Sequence, residues 1–137
     1  MNIKKYRNKV ILLIVIALCI VLGCILLQPP KLSANQINQI KMVSLPSPPK
    51  EKVITNNGDI NKFVSTFNEL HLSPRLSIST PAGTSVWIIT SGNQNLRITM
   101  TGNIVQIGIR SYWCDMDAAE KMRTLYQSYP YPEKEYN

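Results

Sequence analysis

Val10 to Leu27 is a run of 18 residues without a charge, VILLIVIALCIVLGCILL, and no other feature constrains this chain as strongly. As a helix rising about 1.5 Å per residue it spans about 27 Å, close to the hydrocarbon thickness of a bilayer. Lys4, Lys5, Arg7 and Lys9 stand before it and Gln28-Pro29-Pro30 after it. The positive-inside bias then predicts a single pass through the plasma membrane. Residues 1–9 form a cytoplasmic basic segment, and the chain beyond the run lies on the extracytoplasmic side. A cleaved signal peptide is the competing reading. It needs a small-x-small site close behind the run, and the nearest, Leu32-Ser33-Ala34, carries a bulky outer residue.

Within the run, Val21-Leu22-Gly23-Cys24 has the outline of a lipobox, which makes Cys24 a candidate lipidation site. Two features argue for a span instead. Leu22 is bulky where a small residue is expected, and a chain cut there would begin Cys-Ile-Leu-Leu, apolar where a tether should be polar. The run is read as a transmembrane helix over 10–27, or an uncleaved signal anchor. Ala17 and Gly23 are too far apart for a small-x-x-x-small pair, so nothing here specifies helix dimerisation.

The formal charge of +7 is concentrated at the N-terminus. No acid precedes Glu51, and the chain after Lys9 holds 11 bases against 8 acids. Lys41, Lys50, Lys52, Lys62, Arg75, Arg97 and Arg110 form no run. A nucleic-acid surface clusters its cations, so no nucleic-acid partner is expected. Of three cysteines, Cys19 and Cys24 lie in the apolar run. Cys114 is therefore alone in the exported part and is expected to be a buried, inert thiol.

Residues 28–36 read as a linker, 37–129 as one small domain and 130–137 as a flexible polar tail. Strands are expected at 39–45 and 52–55, separated by Pro46-Ser47-Pro48-Pro49. DINKFVSTFNELH, 59–71, is the clearest helix, with Ile60, Phe63, Val64, Phe67 and Leu70 on one stripe. Asn56-Asn57-Gly58-Asp59 supplies its turn and N-cap, and His71 its C-terminal end. Alternating segments then predict strands at 75–80, 85–90, 95–101, 104–107 and 112–114, with Gly102-Asn103 as a tight hairpin. The 85–90 strand is apolar on both faces and so reads as central. Asp117-Ala118-Ala119-Glu120 is a capping box opening a second helix with Met122, Leu125, Tyr126 and Tyr129 on its apolar face. The expected class is α+β: a transmembrane helix, then an antiparallel sheet of about five to six strands with two helices on one face.

The stretch ITMTGNIVQIGIRSYWCDMDAAEKMRTLYQSY and the preceding KVITNNGDINKFVSTFNEL resemble small exported domains of unknown function in membrane-anchored or lipoprotein-like proteins of Gram-positive bacteria. Gly102, Ile104, Ile107, Gly108, Arg110, Tyr112, Asp117 and Leu125 follow their outline. The resemblance covers about 37–129 and departs at Cys114 and in Pro46–Pro49. It implies a fold and an exported location, and it carries over no activity.

Chemistry-bearing patterns are sparse. A hydrolase needs nucleophile, base and orienter together, and His71, the only histidine, is far in sequence from Asp115 and Asp117. Asp115 and Asp117 as a carboxylate pair are better explained by helix capping. Cys114-x-Met116 with Met122 has the soft donors of a copper(I) site but lacks a nearby histidine, and Met122 faces the core by spacing. No catalytic residue, metal ligand or cofactor site is expected. Tyr112 and Trp113 point to opposite sides of one strand, so an exposed aromatic beside Arg110 makes Arg110, Tyr112 and Trp113 the candidate partner-binding residues. The expected role is a membrane-anchored binding or accessory module meeting an unknown protein or envelope partner. The alternatives are a lipoprotein-type envelope enzyme, or a small immunity or inhibitor protein binding one partner through its sheet.

Overall fold

A computed structural model of the chain describes residues 3–45, 48–77, 82, 83 and 85–136. Helix α1 runs unbroken from Ile3 to Leu27. Its segment Tyr6–Leu27 is 22 residues, long and apolar enough for a membrane anchor or a signal sequence. A single 3-10 turn, Ala34–Gln36, then leads into the sheet.

The strands are β1 (Ile37–Ser44), β2 (Lys50–Ile54), β3 (Leu72–Arg75), β4 (Val86–Gly92), β5 (Arg97–Thr101), β6 (Ile104–Ile107), β7 (Arg110–Cys114) and β8 (Lys134–Glu135). Helix α2 (Asn57–Asn68) lies between β2 and β3, and α3 (Ala118–Ser128) between β7 and β8. They form one antiparallel sheet in the order β3-β7-β6-β5-β4-β1-β2-β8. Eight strands thus replace the five or six expected.

Alternation decides which face is covered. Ile40 and Met42, Val86 and Ile88, Ile98 and Met100, Val105 and Ile107, and Tyr112 and Cys114 bury one side. Ile60, Phe63 and Phe67 of α2 and Ala119, Met122 and Leu125 of α3 complete the same cluster, so both helices cover one face. Strand β4 sits inside the sheet between β5 and β1, as its apolar faces require. It leaves β1 through Gly92, whose φ of +140° and approach to Gln36 exclude a side chain: a Cβ there would lie 2.5 Å from the Gln36 carbonyl oxygen.

Several expectations are corrected. The strand expected at 75–80 lies instead at Leu72–Arg75, because Leu72 pairs with Cys114 and Arg75 with Ser111. Pro74 is accommodated because β3 is an edge. Ile78, Ser79 and Thr80 of that expected strand, like Pro46 and Ser47 of the proline break, fall outside the described residues. Helix α2 ends at Asn68 and not at His71, since the Asn68 amide is engaged with Leu32: its Oδ1 accepts from Leu32 N and its Nδ2 donates to Leu32 O, both at 2.9 Å. The α2 N-cap is Asn56, whose Oδ1 accepts from Gly58 N and Asp59 N. Asp117 caps α3 by accepting from Glu120 N at 2.8 Å, but Glu120 turns away to Arg123 at 2.7 Å, so only half of the capping box forms.

The segment expected to be a flexible tail is held at three places. Lys134 and Glu135 pair with β2, Tyr131 donates to Asp59 Oδ2 at 2.8 Å, and the Tyr136 ring meets Trp87 edge-on at 5.8 Å. Its polarity concealed tyrosines that have somewhere to pack.

Lys52 of β2 is 6% exposed. Its Nζ donates to the carbonyls of Tyr126 at 3.0 Å and Tyr129 at 2.8 Å, and sits 4.8 Å from the centre of the Tyr126 ring. A buried cation is thereby satisfied by the negative end of α3 and an aromatic face. Lys52→Met leaves both carbonyls without this donor and is expected to destabilise the fold by about 2–4 kcal/mol, read as a shift of the urea midpoint in detergent at unchanged slope.

Burial, with the Glu133 and Glu51 charges adding to it, pushes the Tyr126 hydroxyl up to about 12 from an ordinary 10.0. Burial and then the Asp59 and Tyr131 charges raise Tyr129 further. The fold favours both neutral phenols, so this contribution is fully present below pH 10 and is lost as pH climbs toward and past 12. Spectrophotometric titration should show a late phenolate component that coincides with loss of circular dichroism and shrinks in Tyr126→Phe and Tyr129→Phe.

Candidate functional site

The sheet end at which α1 arrives carries the most unusual surface. Gly108, at φ +58°, turns the β6–β7 hairpin and leaves Ile109 at its tip, 90% exposed. Beside it β3 ends at Arg75, and Leu76 is 92% exposed. Leu76 falls in the strand expected at 75–80, whose alternation would put it with Ile78 on one face. The early end of β3 removes the partner that face would have had. Leu27, Leu76, Ile109, Arg110 and Tyr112 contribute to the lining of a cavity of about 340 Å³ here.

The three residues singled out from sequence do not act as one patch. Arg110 is exposed at the cavity rim. Tyr112 is 1% exposed, so its ring belongs to the core, where its hydroxyl meets no hydrogen-bond partner. Trp113 faces the other side of the sheet, 44% exposed. The cation against it is Arg75 and not Arg110: the guanidinium lies 5.0 Å from the Trp113 ring centre, and its Nη1 donates to Ser111 Oγ at 3.3 Å. Sequence reasoning missed Arg75 because it arrives from another strand. Ile109 was missed as well, although an isoleucine between Gly108 and Arg110 at a turn, with no neighbour to pack on, is a signal that could have found it.

The same uncovered face carries a second aromatic–basic group further along. Trp87 meets Arg97 at 5.4 Å as well as Tyr136, and Lys41 pairs with Glu51 at 3.1 Å. A polar cavity of about 510 Å³ lies between β2 and α3. Its charged lining residues are already paired, Lys50 with Glu133 at 3.1 Å across the cavity and Arg123 with the neighbouring Glu120 at 2.7 Å.

Folding does bring His71 and Asp115 together, contrary to what their sequence distance suggested. His71 Nδ1 donates to Asp115 Oδ2 at 2.9 Å, and Cys114 Sγ donates to Asp115 Oδ1 at 3.7 Å. The order of contacts is wrong for nucleophilic catalysis. A base must touch the nucleophile, and here the carboxylate separates imidazole from thiol. His71 and Asp115 are open to solvent, with side chains 81% and 53% exposed. The His71 hydrogen bond holds the Asp115 carboxyl below its ordinary range. Burial pushes the Cys114 thiol up, and the adjacent Asp115 charge adds to this. Both shifts leave Cys114 protonated.

Met116 is exposed and Met122 fully buried, so the Cys114, Met116 and Met122 sulfurs share no surface. Among the described residues no group of three or more histidines, cysteines or acids is placed to hold a metal ion. Cys24 lies on a continuous helix that ends three residues later. Comparison with protein families, with curated proteins and with solved structures found no match.

Cys114 should resist iodoacetamide at pH 8 in the native chain and react fully in urea. Asp115→Asn should leave that protection within about twofold, as read by peptide mass spectrometry. Rapid native alkylation would mean an activated thiol.

Proposed function

We propose that this chain is a membrane-anchored binding or accessory module. Helix α1 crosses the plasma membrane with the N-terminus in the cytoplasm, and the α+β domain engages a protein or envelope partner outside without catalysing a reaction. The observation that carries this is the uncovered sheet face, where Arg75 against Trp113 and Arg97 against Trp87 present two aromatic–cation pairs on strands β7 and β4 of one surface. Such half-exposed, pre-packed aromatic and arginine side chains are what anchor interfaces use, because little side-chain freedom remains to be lost on binding. The basic residues before α1 and the polar chain after it support the orientation.

The same face favours the immunity or inhibitor reading over an envelope enzyme. It offers a broad surface for one partner, while the one histidine–aspartate pair is not wired to a nucleophile.

The test is in-cell photo-crosslinking from position 113, combined with biotinylation by a membrane-impermeant reagent. One adduct of defined mass is expected, reduced at least about fivefold by Arg75→Ala or Trp87→Ala, with the domain's lysines biotinylated in intact cells. No adduct beside clear turnover of an envelope substrate would overturn the binding reading. Domain lysines labelled only after lysis would overturn the orientation.

A further inference from the structure

We propose that the tip formed by Leu76 and Ile109 sits in the lipid leaflet from which α1 emerges, with Arg110 at the phosphate level. The ligand is the bilayer surface itself, acyl chains for the two aliphatic side chains and lipid phosphate for the Arg110 guanidinium. This rests on the reading of α1 as a retained membrane span and extends it to the domain.

Three observations converge. First, Leu76 and Ile109 are 92% and 90% exposed, the most exposed large aliphatic side chains in the described part of the domain. They come from separate strand ends that the β3–β7 pairing of Arg75 with Ser111 brings together. Isolated exposed aliphatics are ordinary, but a projecting pair at two adjoining strand ends marks a surface that meets something apolar.

Second, their depth is set by the anchor. Leu27 is the last residue of α1, and it lines the same cavity of about 340 Å³ as Leu76 and Ile109. If α1 spans the bilayer, groups level with its last apolar turn lie where hydrocarbon gives way to headgroups. Lipid is then the neighbour present at all times, whereas a soluble ligand or second protein would have to displace it.

Third, the flanking chemistry is interfacial. Among the described residues, Arg75 and Arg110 line the cavity and no acid does. Lys31 follows just beyond the span, its Nζ held by the Asn68 carbonyl at 3.1 Å. The exposed Arg110 guanidinium suits phosphate oxygens, which it can bind in a fork geometry. Apolar tips with bases behind them are how peripheral segments rest on a bilayer.

The full chain would be reconstituted in vesicles of phosphatidylethanolamine and phosphatidylglycerol containing a lipid with a diazirine near the headgroup. Adducts would be mapped by peptide mass spectrometry after irradiation. Expected are adducts on the peptides bearing Leu76 and Ile109, at least about fivefold above those bearing Asn103 at the opposite sheet end. Leu76→Ser with Ile109→Ser should remove them while adducts on α1 persist. Arg110→Gln should reduce them severalfold, and more in vesicles rich in the anionic lipid. Adducts confined to α1 would overturn the proposal and leave the anchor intact. Release of the chain by alkaline carbonate, without adducts on α1, would overturn the anchor reading and this proposal together. Loss of labelling in the serine variant counts only if its Lys52-dependent urea midpoint is unchanged; should that variant unfold, Ile109→Gln alone is measured in its place, and unchanged labelling there would overturn the proposal.

Discussion

The ammonium of Lys52, buried against the end of α3, is the contact on which the arrangement of the domain turns. A lysine is seldom buried, because its charge must recover in the interior what water supplied. Here the carbonyls of Tyr126 and Tyr129 and the ring of Tyr126 do so. The geometry fixes where α3 stops relative to β2. From that point the chain is directed across the start of α2, where the Tyr129 and Tyr131 hydroxyls both reach Asp59. One polar contact thus sets the position of the helix that covers the central strands and the path of the segment that becomes β8.

The domain spends its positive charge in a recurring way. Lys41, Lys52, Lys62, Arg75 and Arg97 each lie against an aromatic ring, at 4.8–5.8 Å from its centre. This accounts for bases that look scattered in sequence: they are distributed to match the rings. It also explains why a modest excess of positive charge produces no single basic field. Three of these pairs, Arg75–Trp113, Arg97–Trp87 and Lys41–Tyr136, lie on the uncovered side of the sheet, the last holding the C-terminal segment, and the other two hold α3 and the chain that leaves it.

Elements whose cause is local were legible in the sequence. The apolar length of α1, the stripe of α2, the Asp117 cap and the Gly102-Asn103 hairpin all follow from neighbouring residues. What escaped was set by pairing between distant segments. Strand β3 lies earlier than its alternation suggests because β7 supplies its register, and alternation alone carries no register. Strand β8 escaped because KE has no apolar pattern, and it is held by β2 and by the tyrosines around it. The candidate surface was half legible. Trp113 and Arg110 could be named from one strand, but Arg75 could enter only through the β3–β7 pairing, and Tyr112 was withdrawn by its burial. His71 and Asp115 met for the same reason, since the register of Leu72 with Cys114 places their neighbours side by side.

The order of the strands also has a consequence for how the domain forms. Strands β4 to β7 are joined by short turns and pair in sequence order, so they can zip together with little loss of chain freedom. Strand β3 pairs with β7 far along the chain, and β1, besides its neighbour β2, with β4, so both long-range pairings need that meander. The topology therefore predicts folding that begins in the middle and works outward to both edges, with the relatively slow closure typical of non-local sheets. Docking of β1 on β4 also brings Gln36 to the Gln94 amide, and with Leu32 on Asn68 and Ser33 on Gln94 it clamps the chain leaving α1 to α2 and to the β4–β5 turn at once.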